Sequence, residues 1–286
     1  MTDQPRLITS CQEMLETLRA DPIQKKRIGL VPTMGALHAG HLSLVQAARD
    51  CCDVVVVTIF VNPTQFAPGE DLDQYPRQLE KDLQHLATLG VQIVFAPREH
   101  EIYPDGFSTT VNPPTLAKPW EGVHRPHHFA GVLTVVSKLF HLVPADVAFF
   151  GQKDYQQAMV IQQMVRDLNF PIEIRVCPVV RDEDGLAMSS RNQYLDSQQR
   201  PRATALSRCL VWAQACINQG EQSSEILREG IANQLTEAGF APIDYIAIVH
   251  PETLAEVEYI DGPAMLLLAA HLGQVRLIDN CQLLPA

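Results

Sequence analysis

Short runs rich in β-branched residues recur along the first 180 positions, at 28–31, 54–61, 91–95, 147–150 and 172–180. They are apolar without alternation, as expected of strands covered on both faces of a sheet. Between them the apolar residues switch to helical spacing. Leu42, Val45 and Ala48 share a face over 41–52, and Leu79, Leu83 and Leu86 share one over 75–89, which Gly90 stops. The stretches 129–142 and 155–168 repeat the pattern, the second ended by Asn169 and Pro171. Strand–helix–strand alternation with right-handed crossovers predicts an α/β fold. Specifically, it predicts a Rossmann-like doubly wound parallel sheet over residues 1–180. Beyond 180 the pattern changes. Helices are predicted at 198–219 and 225–238, and short antiparallel strands at 243–249, 254–259 and 264–270, the last ending near Leu277 and Ile278. This is a second, smaller α+β domain over 181–286.

In a doubly wound sheet, ligands bind beyond the carboxyl ends of the strands. The loops after Val31, Val61 and Phe150 are therefore where chemistry is expected. The first reads Pro32-Thr33-Met34-Gly35-Ala36-Leu37-His38-Ala39-Gly40-His41 and opens a helix. It is neither a Walker A loop nor GxGxxG. A single histidine here would read as a satisfied structural group. Two of them, with glycines that admit close backbone approach and a helix N-terminus behind, read as an anion site with two imidazole donors.

The second loop carries Asn62 and Gln65, ordinary turn amides on local grounds, yet well placed to hold a hydroxy acid through neutral hydrogen bonds. In the third, Gly151-Gln152-Lys153-Asp154 resembles a phosphate and metal station, with Lys153 neutralising phosphate and Asp154 facing Mg²⁺. Met188-Ser189-Ser190-Arg191, after Gly185, forms a donor-rich loop suited to covering a polyphosphate. His124, Arg125, His127 and His128 match no zinc spacing and read as a cationic cluster for a carboxylate.

Composition narrows the partners. With 33 acidic and 22 basic residues among 286, the net charge of −11 opposes nucleic acid and anionic membrane surfaces. No run reaches the ~18–20 apolar residues of a membrane span, and the first thirty residues lack a secretory pattern. Seven cysteines (Cys11, Cys51, Cys52, Cys177, Cys209, Cys216, Cys281) form no CxxC pair, so reduced thiols and a cytoplasmic location are expected.

Taken together and in order, VPTMGALHAGH, FVNPTQF, EDLDQYPR, RPHHFAGVLTVVSKLF, FFGQKDYQQ and DGLAMSSRNQYL resemble the pantothenate synthetase (pantoate–β-alanine ligase) family. That family lies in the nucleotidyltransferase superfamily, with its HxGH loop. The resemblance implies ATP-dependent condensation of pantoate with β-alanine through a pantoyl adenylate, releasing AMP and pyrophosphate, with Mg²⁺. It implies that Met34, Gly35, Ala36, Leu37, His38, Ala39, Gly40 and His41 line the ATP site. Gly151, Gln152, Lys153, Asp154, Val180, Met188, Ser189, Ser190 and Arg191 complete that site. His41, His38, Lys153, Ser189 and Arg191 carry the catalysis, with His41 either transferring a proton or only donating a hydrogen bond.

Gln65 and Gln157 hold pantoate, Gln65 also contacts β-alanine, and Asp154 faces the metal. A homodimer through the large domain, with the small domain as a lid, is implied as well. His127 departs from the pattern, standing where the family commonly has a small residue. Two other readings suit the loops: a nucleotidylyltransferase joining AMP or CMP to a phosphorylated acceptor, and a non-catalytic nucleotide sensor. Paired Gln65 and Gln157 speak against a phosphorylated acceptor, and four complete chemical loops speak against a sensor.

Overall fold

A computed structural model describes residues 4–20 and 23–285, with the side chain of Gln24 excepted. Contacts divide the chain into two compact units. One comprises Met1–Gly151 and Gln157–Pro178, the other Gln152–Gln156 and Val179–Ala286.

The first unit is built on six parallel strands in the order β1-β4-β3-β2-β5-β6. These are β1 (Arg6–Ile8), β2 (Ile28–Thr33), β3 (Val54–Ile59), β4 (Ile93–Phe95), β5 (Val147–Gly151) and β6 (Glu173–Cys177). Helices α1 (Cys11–Arg19), α2 (Ala39–Arg49), α3 (Leu79–Thr88), α4 (Glu99–Ile102), α5 (Glu121–His124), α6 (His128–Leu142) and α7 (Tyr155–Asp167) connect them.

The continuous apolar runs follow from burial on both faces. Val54 and Val56 pack into one core with Leu30, Phe95 and Leu133, while Val55 and Val57 pack into a second core with Val31, Val45 and Phe149. Each such side chain fully buried contributes roughly 1.5–3 kcal/mol, offset by the entropy of ordering it. The chain steps outward from β2 through β3 to β4, then returns to lay β5 on the other side of β2. The strand order thus reverses between β2 and β5, the switch point at which doubly wound sheets bind ligands.

The expected sheet is present, with corrections at its margins. The first strand in the chain is β1, which the hydrophobic pattern misses because it is a three-residue edge strand with Arg6 and Leu7 exposed. The run 54–61 ends at Ile59, because Asn62 caps a 3₁₀ turn, Pro63–Gln65, that starts with proline. The run 91–95 forms a strand only over Ile93–Phe95, and 172–180 stops at Cys177 before Pro178. The helix expected from Tyr75 starts at Leu79, beyond Pro76.

The second unit packs α8 (Gln199–Ala203), α9 (Ala205–Asn218) and α10 (Ser224–Glu237) with an antiparallel sheet of β7 (Ile243–Val249), β8 (Ala264–Leu272) and β9 (Val275–Leu283), in that order. The expected single helix 198–219 divides at Thr204, which closes α8 and opens α9. The segment 254–259 is not a strand. Leu254 takes a positive φ of 56°, and only isolated bridges pair Glu256 with Val249 and Tyr259 with Ser223. The last strand, β9, runs well past Leu277 and Ile278, with burial alternating up to Asp279 and the adjacent Asn280 buried as well.

One close approach fixes how α6 meets the sheet edge. A Cβ on Gly131 would overlap the Thr64 carbonyl and come within 2.7 Å of the Gln65 amide nitrogen. Gly131→Ala must push the Pro63–Gln65 turn off α6, lowering stability by about 1–3 kcal/mol in denaturant unfolding. An unchanged unfolding midpoint would contradict this packing.

Candidate active site

β2 delivers Thr33 into the loop Met34-Gly35-Ala36-Leu37, whose backbone departs from any regular ladder. Gly35 has φ of 84° and Ala36 of 52°. A Cβ at Gly35 would press on Ile59 Cγ2 at 3.0 Å and Asp82 Oδ2 at 3.1 Å, so glycine is needed for both space and conformation. Buried N–H groups in such a loop require partners. Asp82 of α3, with no exposed surface, supplies them: its Oδ2 accepts from the Ala36 N–H at 3.0 Å and its Oδ1 from the Leu37 N–H at 2.9 Å. The Gly35 N–H donates to Thr33 Oγ1 at 3.2 Å, and that hydroxyl donates to the Thr58 carbonyl at 2.6 Å. Burial raises the Asp82 carboxyl despite the opposing pull of the Leu37 and Ala36 N–H groups.

His38 and His41 close the loop as a reciprocal cap on α2. The Gly40 N–H donates to His38 Nδ1 at 3.1 Å, and the His38 N–H donates to His41 Nδ1 at 3.4 Å. The rings lie 4.1 Å apart between centroids. A backbone N–H is only a donor, so both Nδ1 atoms act as acceptors and the ring proton of each sits on Nε2. The Nε2–H groups of the pair lie beside the α2 N-terminus, where negative charge is stabilised.

The turn after β3 divides its two amides into different jobs. Asn62 is 1% exposed and its groups are committed inside the protein. Its Nδ2 donates to Gln65 Oε1 at 3.1 Å and to the Gly131 carbonyl at 3.2 Å. Its Oδ1 accepts from Tyr103 Oη at 2.7 Å and Thr64 Oγ1 at 2.9 Å. Asn62 is therefore not a ligand amide, as its place at the strand end suggested, but the bracket that holds Gln65. The Gln65 amide nitrogen reaches Met34 Sδ at 3.1 Å, so the structure brings Gln65 to the first loop.

The cluster 124–128 is corrected in the same way. Arg125 forks onto Glu70, with Nε to Oε1 at 2.9 Å and Nη2 to Oε2 at 2.8 Å, and lies 3.8 Å from Glu121. His128 is buried with Nδ1 3.0 Å from the Gln65 carbonyl. These groups brace the 65–70 segment, and the arginine's charge is already balanced. His127 is exposed at the start of α6, so its bulk displaces nothing.

After β5 the chain enters the second unit through a 3₁₀ turn, Gln152–Asp154, with Lys153 half-buried and Asp154 exposed. In that unit Val180 and Met188 are joined, the Met188 N–H donating to the Val180 carbonyl at 3.0 Å. An isolated bridge between Arg181 and Ala187 closes the hairpin beneath them. Ser189 Oγ accepts the Arg191 N–H at 3.2 Å and so caps the turn Ser190–Tyr194. Gln157 sits half-buried in the first turn of α7 and belongs to the first unit.

Sequence reasoning passed over Asp82, Arg181, Asp279 and Asn280. Asp82 and its loop are 46 and 45 residues apart, so local patterning carries no sign of the contact. Burial pushes the Cys11, Cys52 and Cys209 thiols up to about 11 and Cys281 to about 12, well away from thiolate nucleophiles at neutral pH.

Comparison with known proteins decides the lineage. The family model for pantoate-beta-alanine ligase matches residues 6–282. The chain belongs to the pantoate–β-alanine ligase family. The pantothenate synthetase of Koribacter versatilis is 49% identical over 281 residues, 98% of this chain and 97% of that protein. The one from Moorella thermoacetica is 53% identical over 253 residues, 88% and 89% of the two chains. Among solved structures, pantothenate synthetase from Thermus thermophilus superposes with a TM-score of 0.93 at 44% identity, covering 98% of this chain and all of that one. The ligase from Francisella tularensis, solved in complex with beta-gamma ATP and beta-alanine, has a TM-score of 0.79 at 38% identity, covering 97% of each.

The Glu70–Arg125 pair predicts a pH dependence. Burial alone would raise the Glu70 carboxyl, but the hydrogen bonds and charge of Arg125 outweigh it and hold the group below its ordinary 4.5. A depressed carboxyl stabilises the fold above its unfolded value, and that contribution is lost as pH falls through the folded value. Glu70→Gln should therefore cost about 1 kcal/mol near neutrality, with the gap to the parent closing below about pH 4. A gap in melting temperature that widens on acidification would overturn the assignment.

Proposed function

We propose that this chain condenses pantoate with β-alanine at the expense of ATP. The pantoate carboxylate attacks the α-phosphorus of ATP, forming pantoyl adenylate as pyrophosphate leaves. The amine of β-alanine then attacks the activated carbonyl, forming the amide of pantothenate as AMP leaves. The observation that carries this reading is membership of the ligase family over nearly the whole chain, together with the related ligase solved with beta-gamma ATP and beta-alanine.

The residue roles follow from the chemistry each loop offers. Met34 to His41 surround the nucleotide, and the Nε2–H groups of His38 and His41 donate to phosphate oxygens. The Nδ1 bonds of both histidines support donation rather than proton transfer as the role of His41. Lys153 supplies positive charge to the triphosphate, with Gln152 and Gly151 beside it, while Val180 faces the adenine side and Met188 opens the loop that closes over the phosphates. Ser189, Ser190 and Arg191 add hydroxyl and guanidinium donors to the phosphates. Gln65 and Gln157 orient pantoate, and Gln65 also meets β-alanine. Such a reaction depends on positioning and charge stabilisation, and each preorganised donor lowers the barrier by roughly 3–4 kcal/mol.

Mg²⁺ fits this donor set in one way. Among the described residues no group of three or more His, Cys, Asp or Glu side chains could hold a metal ion. Asp154, exposed in its turn, would hold Mg²⁺ together with phosphate oxygens, the usual arrangement for an ion that keeps its waters. Bound there, the ion supplies charge neutralisation to the triphosphate.

A homodimer and a cytoplasmic location complete the reading. Seven free cysteines support a reducing compartment, and no described helix is long and apolar enough to cross a membrane.

The test is product analysis. Purified protein should form AMP from ATP only when pantoate is present, and pantothenate only when β-alanine is added. Formation of ADP would overturn the reading. His41→Ala and Lys153→Ala should each slow pantoate-dependent pyrophosphate–ATP exchange by about 100-fold or more while both stay folded, His41→Ala melting lower for its lost cap on α2. Near-parental rates in both would remove the roles given to them.

A further inference from the structure

The Gln152–Asp154 turn is held by a side chain that lies 127 and 128 residues further along the chain. Asn280 of β9 is 3% exposed. Its Nδ2 donates to the Lys153 carbonyl at 2.9 Å and the Gln152 carbonyl at 3.0 Å, while its Oδ1 accepts from Gln152 Nε2 at 3.2 Å. Carbonyl oxygens only accept, so the orientation of the amide is dictated by the turn.

Beside it Asp279, 2% exposed, takes both ends of the Arg181 guanidinium, at 2.7 and 2.9 Å. Its Oδ1 also accepts the Asn280 N–H at 2.8 Å. Arg181 in turn donates to the Gly185 carbonyl at 3.1 Å, inside the hairpin that leads to Met188. Burying an amide and an ion pair carries a desolvation cost that an apolar trio would avoid. What this cluster provides instead is direction, because every donor and acceptor in it has one geometry.

We propose that Asn280 is a positioning residue for adenylation: its carboxamide fixes the backbone of the Gln152–Asp154 turn and so the direction of Lys153, with the Arg181–Asp279 ion pair holding the Asn280 backbone in place. The proposal rests on the role of Lys153 argued above and extends it to residues that touch no substrate. The same cluster ties the base of the Met188–Arg191 loop to β9, so both nucleotide-facing segments of the second unit share one anchor.

The test is a double-mutant cycle on pantoate-dependent pyrophosphate–ATP exchange. Asn280→Ala should lower kcat at least tenfold, with KM for pantoate changed less than twofold. In the Lys153→Ala background the same substitution should change the rate less than twofold, because the group it aims is gone. Val275→Ala, in the same strand, should lower the melting temperature and leave kcat unchanged. Should Asn280→Ala fail to fold, Asn280→Asp keeps the size, removes both donors and carries the same readout. Full kcat in either Asn280 variant, or an equal loss with and without Lys153, overturns the proposal while leaving Lys153 in its role. A near-parental rate in Lys153→Ala overturns that role and this inference with it.

Discussion

A loop that leaves the regular ladder inside a protein takes its backbone polar groups away from their usual partners. In this protein the Asp82 carboxylate restores two of them by accepting the Ala36 and Leu37 N–H groups from within the core. The rest of the first loop depends on that contact. It permits the positive φ of Gly35 and Ala36, and it delivers the chain to His38 at the angle from which the histidine cap on α2 closes. An unpaired N–H in that position would cost about 1–3 kcal/mol for each group.

The same solution recurs at the other turns. Asn62 brackets Gln65, and Asn280 brackets Gln152 and Lys153. In each case the holding residue is buried and the held residue is at least partly accessible. The division explains why a polar residue at a strand end is a poor guide to ligand contact by itself. Asn62 and Gln65 are three positions apart and look alike in sequence, yet one is saturated by protein groups and the other reaches Met34 at the first loop.

What the sequence makes legible follows the range of the forces involved. The central strands β2, β3 and β5 announce themselves because burial on both faces demands unbroken apolar runs. Edge strand β1 escapes notice, since one buried residue in three leaves no pattern. Resemblance to the ligase family supplies the groups proposed to meet substrate, because they lie inside the matching motifs. Asp82, Arg181 and Asn280 stay hidden: each acts on a partner brought close only by the fold, and nothing in its neighbouring residues marks it. Arg125 misleads for a related reason, since its counter-charge, Glu70, is 55 positions away.

Charge points the same way. A chain with a net charge of −11 has to bring cationic and N–H donors to an anionic ligand locally. Several of its basic groups are already matched by carboxylates: Arg125 by Glu70, Arg181 by Asp279, Arg200 by Asp182 and Asp184. Matching them internally removes these cations from the set that could bind an anionic ligand. Each holding contact also stays inside its own unit: Asp82 with the first loop, Asn280 with the turn after β5. The geometry of each set of donors is thereby fixed by contacts inside its own unit.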